Sequence, residues 1–265
     1  SEHGLVEVEQ LGPVRGHRGD VNKVVCSPDG KIVIIQDEVF DAQTMEWLFT
    51  LHGQALDFGN VTVIGVSEPI GSLGISADSK VMGVLNSWKN QVLLWNIATR
   101  APFLALENVN HLEFHPSQNI VALAGVDNEI SIYDLDKQDS LCDLEGHECK
   151  IVSFSFHPRL DILASSSVGQ NVFLWNFRTK KLIGHLPFNH CMSNLCFLPD
   201  GRLIAASDVG RNLFIFQLIF DEEESRVDHF LVSYRGPLNL MSFTTEFEDA
   251  LGLTIEEAGL LKRRR

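Results

Sequence analysis

His185, His190, Cys191 and Cys196 fall within twelve residues of one another. Imidazole and thiolate are the ligands zinc takes in tetrahedral sites, but structural zinc motifs use paired, closely spaced sets, and this spacing fits none of them. The chain has no Gly-x-Ser-x-Gly elbow, no phosphate-cradling glycine loop and no His-Glu-x-x-His. Asn60-Val61-Thr62 spells a glycosylation sequon and Arg18-Gly19-Asp20 an integrin-type tripeptide. The first is read as chance and the second as an ordinary turn. The expectation is therefore no catalysis, no metal and no cofactor. What remains is binding chemistry, foremost Trp88 in the polar stretch Asn86-Ser87-Trp88-Lys89-Asn90 and Arg178 after Trp175-Asn176-Phe177. Trp and Arg are the side chains that most often anchor protein partners.

A repeat positions these residues. An apolar residue, a spacer and a Pro-Asp-Gly-like turn recur as Cys26-Ser27-Pro28-Asp29-Gly30, Ile75-Ser76-Ala77-Asp78-Ser79, Phe114-His115-Pro116-Ser117, Phe156-His157-Pro158-Arg159 and Phe197-Leu198-Pro199-Asp200-Gly201. A weak sixth copy starts at Phe243, and the successive intervals are 49, 39, 42, 41 and 46 residues. A second column keeps step with the first: Phe40-Asp41, Trp95-Asn96, Tyr133-Asp134, Trp175-Asn176 and Phe216-Gln217. Two columns in register mean a structural repeat. Within residues 147–186 the pattern predicts strands over Ile151–Phe156, Leu160–Ser167, Val172–Trp175 and Lys181–Leu186. These runs are short, rich in Val, Ile and Phe, and broken by turn residues, so a helical reading fails. Four short strands cannot bury two apolar faces alone, whereas stacked copies can.

On these residues the chain resembles the WD-repeat β-propellers, in which each repeat supplies a four-stranded blade around a central channel. Gly16-His17 and Gly146-His147 stand ahead of first strands, and the aromatic–polar pairs end third strands. The resemblance implies an all-β, single propeller over residues 1–265. Six blades are recognisable, at about 12–52, 72–107, 109–146, 147–187, 190–235 and 236–265 joined by 4–11, with insertions at 53–71 and 221–228; seven blades are common in the family. Residues 4–11 would close the ring by pairing with the last blade. The alternative for 236–265 is a tail with a helix near 254–261. His17, His147, Trp95 and Trp175 are structural residues on this reading, and His190 takes the place of a Gly-His histidine. No third strand carries a literal Trp-Asp, and Gly169 stands where family repeats often hold a buried Asp. His147, a serine among Ser165–Ser167 and Trp175 remain of the network that ties family blades together.

Net charge is −14 and the sequence pI about 5.1, which disfavours a broad basic face for nucleic acid. Five scattered cysteines fit a reducing compartment, cytoplasmic or nuclear. No apolar run reaches membrane-spanning length and the first residues lack a signal-peptide pattern. The expected partners are one or more proteins or peptides, with no small-molecule substrate.

The resemblance also places the binding faces. Loops before first strands and between second and third strands share one rim, which here carries Arg18, Asn108, Lys150 and His190, and Trp88, Lys89, Asn128, Gln170 and Arg211. The function implied is a scaffold subunit of a larger intracellular complex. Two alternatives accompany it. Leu163–Ser167 continuing to Arg178 resembles the box by which some propellers dock on the adaptor of cullin-4 ubiquitin ligases, Arg178 making the contact. A chromatin reader would use an acidic channel for basic histone tails. Lys262-Arg263-Arg264-Arg265 spells a nuclear-import fragment or a phosphate contact.

Overall fold

The computed structural model describes residues 24–35, 37–51, 56–57, 62–63, 70–188, 191–207, 212–221 and 226–235, and among them there is no helix. Five antiparallel sheets of four strands follow one another, each a simple meander. The first contains β1 (Val24–Cys26), β2 (Ile32–Ile35), β3 (Glu38–Asp41) and β4 (Trp47–Thr50). Between the first and second sheets, where the sequence reading places an insertion at 53–71, β5 (Leu56–Asp57) pairs with β6 (Thr62–Val63), and the second sheet already begins at Ile70. The second sheet holds β7 (Ile70–Ile75), β8 (Val81–Asn86), β9 (Gln91–Asn96) and β10 (Ala101–Leu106). The third holds β11 (Val109–Phe114), β12 (Ile120–Gly125), β13 (Ile130–Asp134) and β14 (Asp139–Leu144). The fourth holds β15 (Ile151–Phe156), β16 (Ile162–Ser167), β17 (Asn171–Asn176) and β18 (Lys181–Pro187). The fifth holds β19 (Asn194–Phe197), β20 (Leu203–Ser207), β21 (Asn212–Asp221) and β22 (Arg226–Arg235). The sixth blade and the closing strand expected from 236–265 and 4–11 lie outside the described residues.

First strands of successive sheets stand side by side, β1 by β7, β7 by β11, β11 by β15 and β15 by β19. Side-chain hydroxyls stitch them to one another. Ser155 Oγ accepts the Phe197 N–H at 2.9 Å, Ser153 Oγ accepts that of Leu195 at 3.1 Å, and Ser72 Oγ donates to the Leu112 carbonyl at 3.0 Å. Apolar layers fill the spaces between sheets. Ile162, Ala164, Val172 and Leu174 pack with Leu203, Ala205, Phe214 and Phe216 of the fifth sheet. Leu163 and Trp175, on the opposite face of the same strands, pack with Ile120, Ala122, Ile130 and Ile132 of the third. Alternate residues of one strand thus feed two different layers, as a period of two requires.

The two sequence columns resolve into two kinds of turn. In the aromatic–polar pairs the ring enters a layer, while the polar side chain turns the chain. Asp41, Asn96, Asp134 and Asn176 each accept backbone N–H groups two or three residues ahead, for example Arg178 and Thr179 onto Asn176 Oδ1 at 3.1 and 2.9 Å. This is the Asx turn that short carboxylate and amide side chains form. The fifth pair ends in Gln217, whose longer side chain forms no such turn. There β21 runs on through Asp221 and β22 starts at Arg226, so the strands form a long hairpin where the sequence reading places an insertion at 221–228.

Candidate protein-interaction rim

The sheets present two rims. One, here called the lower rim, carries the turns that join first to second and third to fourth strands. In the first two sheets a serine organises the first of these turns. Ser27 Oγ donates to Asp29 at 2.6 Å and accepts the Ile32 N–H at 2.9 Å, and Ser76 repeats this with Asp78 and Val81. In the third and fourth sheets histidine takes over. His115 Nδ1 accepts the N–H groups of Ser117 and Gln118, and His157 Nδ1 those of Arg159 and Leu160, all at 3.0–3.1 Å. Sequence reading explains these two histidines by turn polarity; the structure buries both rings. Burial lowers the pKa of His115 to about 4 and pushes that of His157 down as well.

Lower-rim turns also join neighbouring blades. The Asp29 N–H donates to Ser79 Oγ, and that of Asp78 to Asn119 Oδ1. Gln118 Nε2 donates to Asp161 at 3.1 Å, and the Arg178 guanidinium reaches both Asp161, at 3.4 Å, and Gln118. Arg178 also lies over the Phe177 ring, 5.5 Å from its centroid. Between the fourth and fifth blades Gly201 sits at φ +89°, and a Cβ there would stand 2.8 Å from His157 Nε2. Lys31–Asp29, Lys80–Asp78, Lys137–Asp134, Arg178–Asp161 and Arg202–Asp200 are ion pairs of this rim.

Trp175 shows what the aromatic column needs when it is a tryptophan. Its indole N–H donates to Ser165 Oγ at 2.8 Å, and Ser165 Oγ lies 2.6 Å from His147 Nε2. The hydroxyl proton is then free to go to Nε2, an arrangement that requires a neutral imidazole. Burial supplies that condition, lowering the His147 pKa to about 4. Gly146, at φ +148°, lets the chain pass the indole, which a Cβ would meet at 3.1 Å. By strand register the residue matching Ser165 is Ile35, Val84, Leu123 or Ala205 in the other four sheets. The fourth sheet alone among them has a hydroxyl at that point. Trp95 of the second sheet consequently keeps a buried indole N–H with no hydrogen-bond partner among the described residues.

The opposite, upper rim holds the residues expected to meet partners. Asn108 and Lys150 precede first strands, and Trp88, Lys89, Asn128 and Gln170 lie between second and third strands, as the sequence reading placed them. Arg18, His17, His190 and Arg211 lie outside the described residues. Several of the six have backbone duties. Asn128 and Gln170 adopt φ of +71° and +67° and close tight turns onto Gly125 and Ser167. The carbonyls of Asn108 and Lys150 accept the N–H groups of Val126 and Val168 at 2.8 and 3.0 Å. Trp88 has no comparable structural duty for its ring, which is 72% exposed.

Sequence reading missed two residues here. Val126 and Val168 take the same position in equivalent turns and are 46% and 51% exposed. A β-branched apolar residue inside a tight polar turn was the available signal. Trp88, Val126 and Val168 thus stand exposed in the upper-rim turns of three successive sheets, an apolar arc in that sense. Among the described residues no three His, Cys, Asp or Glu side chains are grouped as metal ligands would be.

The WD domain, G-beta repeat family matches residues 138–176, a span from just before β14 through the first three strands of the fourth sheet. That stretch ends within the sheet holding the His147–Ser165–Trp175 hydrogen bonds. The chain is 34% identical over 64 residues to Pre-mRNA-processing factor 19 of Oryza sativa subsp. japonica, covering 24% of this chain and 12% of that protein. It is 25% identical over 164 residues to U3 small nucleolar RNA-associated protein 21 of Saccharomyces cerevisiae, covering 62% of this chain and 16% of the relative. Periodic tryptophan protein 2 of Arabidopsis thaliana is 25% identical over 200 residues, covering 73% of this chain and 21% of the relative. The chain therefore matches about a fifth or less of the length of these relatives. A WD repeat is thus matched over residues 138–176, and the successive four-stranded antiparallel sheets have the form of WD-repeat propeller blades.

Proposed function

We propose that the chain is a non-catalytic interaction scaffold, one propeller holding protein partners within a larger nuclear multi-protein assembly. The observation that carries this reading is the contrast between the rims. Many lower-rim polar groups are engaged with one another, and the exposed apolar residues toward the lower rim, Trp47 and Leu182, lie on outer strands rather than in turns. The upper rim exposes Trp88, Val126 and Val168 in its turns. Such a patch on a rigid surface marks an interaction site, and function in a fold of this kind resides in its loops. Two of the relatives are named for pre-mRNA processing and for association with U3 small nucleolar RNA, which supports a place in an RNA-processing assembly. With a charge of −14 the chain contributes to such an assembly through protein contacts rather than by gripping phosphates. Docking on a ligase adaptor through Arg178 draws no support from the geometry, since Asp161, Gln118 and Phe177 already engage its guanidinium. Affinity purification from the native cell, followed by gel filtration and mass spectrometry, tests the reading. A partner set at fixed ratio is expected; a chain that elutes alone overturns it.

A further inference from the structure

The Val126 sector of the arc is bordered by negative charge. Asp127 and Glu129 flank the Val126 turn, and Asp143 and Glu145 lie beside them at the upper end of the third sheet. Asp127 Oδ1 accepts the Glu129 N–H, and Asp143 accepts the Ser131 hydroxyl. Among the described residues none of these four carboxylates has an ion pair, whereas five lower-rim acids, Asp29, Asp78, Asp134, Asp161 and Asp200, each have a Lys or Arg within 4 Å and Asp41, Asp136 and Asp139 do not. Their mutual repulsion registers on Glu129, whose carboxyl is pushed above its usual range chiefly by Asp127, then by partial desolvation, Glu145 and Asp143. Upper-rim cations stand at the other two sectors: Lys89 next to Trp88 in sequence, and Lys150, whose carbonyl accepts the Val168 N–H.

We infer that this arc binds a basic protein segment carrying apolar side chains, the apolar groups seating on Trp88, Val126 and Val168 and the Lys or Arg side chains on Asp127, Glu129, Asp143 and Glu145. The inference rests on the scaffold reading and gives the partner its chemistry. An apolar arc alone would accept any apolar surface; the acidic cluster at its Val126 sector selects by charge, repelling acidic segments and the phosphates of RNA. Trp88 supplies the anchor: a large ring, rigid in only two torsions and largely exposed in the unbound chain.

The test uses the full chain and three labelled probes at low salt: a 12-residue alternating Lys–Leu peptide, its Glu–Leu counterpart and a 12-nucleotide oligouridine, followed by fluorescence anisotropy. Only the Lys–Leu peptide should bind. Its affinity should fall about tenfold in Trp88→Ala/Val168→Ser and by a similar factor in Glu129→Gln/Glu145→Gln, as loss of hot-spot and steering contacts does. The lower-rim variant Asp136→Asn/Asp139→Asn, which removes the same charge elsewhere, should leave affinity within about twofold of the parent, the range of a distant surface change. No binding of the Lys–Leu peptide, equal loss in the lower-rim variant, or equal or tighter binding of oligouridine each overturns the proposal. If the upper-rim variants lose the peptide's affinity yet retain every partner in the affinity purification, the arc is not the docking site and the scaffold reading stands. A chain that recovers no partner at all overturns the scaffold reading instead.

Discussion

The two rims of these stacked sheets are made from the same kinds of turn residue, put to opposite use. On the lower rim, Asp and Asn cap turns, His115 and His157 accept backbone N–H groups from buried positions, and Gln118, Asp161 and Arg178 clasp adjacent blades. On the upper rim the backbone turns are equally well closed, but side chains are left outward: Trp88, Val126 and Val168, with carboxylates beside Val126. The lesson is that polar residues in a repeat protein are poor guides to its interaction surface when each already has a partner inside the chain. Apolar residues left outside are better ones.

The largest expected effect lies on the lower rim. His115→Ala should cost about 2–3 kcal/mol, because two backbone N–H groups lose their buried acceptor and the ring's packing on Phe156 is lost. Urea unfolding of the two chains measures it. The same chemistry sets a pH dependence. His115 and His147 have folded-state pKa values of about 4, against an ordinary 6.5, mainly through burial. The unfolded chain binds protons as pH falls through 6.5 while the folded chain does not. Their stabilisation is therefore complete above pH 6.5 and is lost as pH falls toward 4. Melting curves across that window should show the decline, and His147→Gln should flatten it.

Smaller effects follow. Gly201→Ala should cost about 2 kcal/mol, from a side chain forced to positive φ and from the close approach of His157. Arg178→Ala should cost under about 1 kcal/mol, since its ion pair is half-exposed and solvent-screened; a much larger loss would make it a keystone between blades. Trp88→Ala should change stability by no more than about 0.5 kcal/mol, as an exposed side chain away from the core does. A larger drop would mean that the indole packs on the fold and would weaken the contrast between rims.

Much of the fold was legible because its determinants are local. Strand period, the Pro-Asp-Gly-like turns and the aromatic–Asx pairs are all encoded within a few residues. The hairpin at β21 and β22 was legible too, had Gln217 been weighed as a residue unable to form the Asx turn that Asp41, Asn96, Asp134 and Asn176 form. Contacts between blades were not. Nothing in one repeat shows that Arg178 meets Gln118, 60 residues away, or that Ser165 rather than Ser166 or Ser167 joins His147 to Trp175. On the candidate rim Trp88 stood out, but Asn108, Asn128, Lys150 and Gln170 were read off by loop position alone, and the structure gives them backbone roles. Val126 and Val168 escaped notice because valine is unremarkable until it is seen to face water.

The claim that one rim consolidates the fold and the other meets partners is tested most directly by one paired measurement. Trp88→Ala/Val168→Ser and Arg178→Ala chains would be purified side by side from the native cell, each scored for partner recovery and for melting temperature. The upper-rim pair should lose partners with its melting temperature unchanged, and Arg178→Ala should melt slightly lower with its partners intact. Loss of partners from Arg178→Ala at an unchanged melting temperature, with full recovery by the upper-rim variant, would contradict the account.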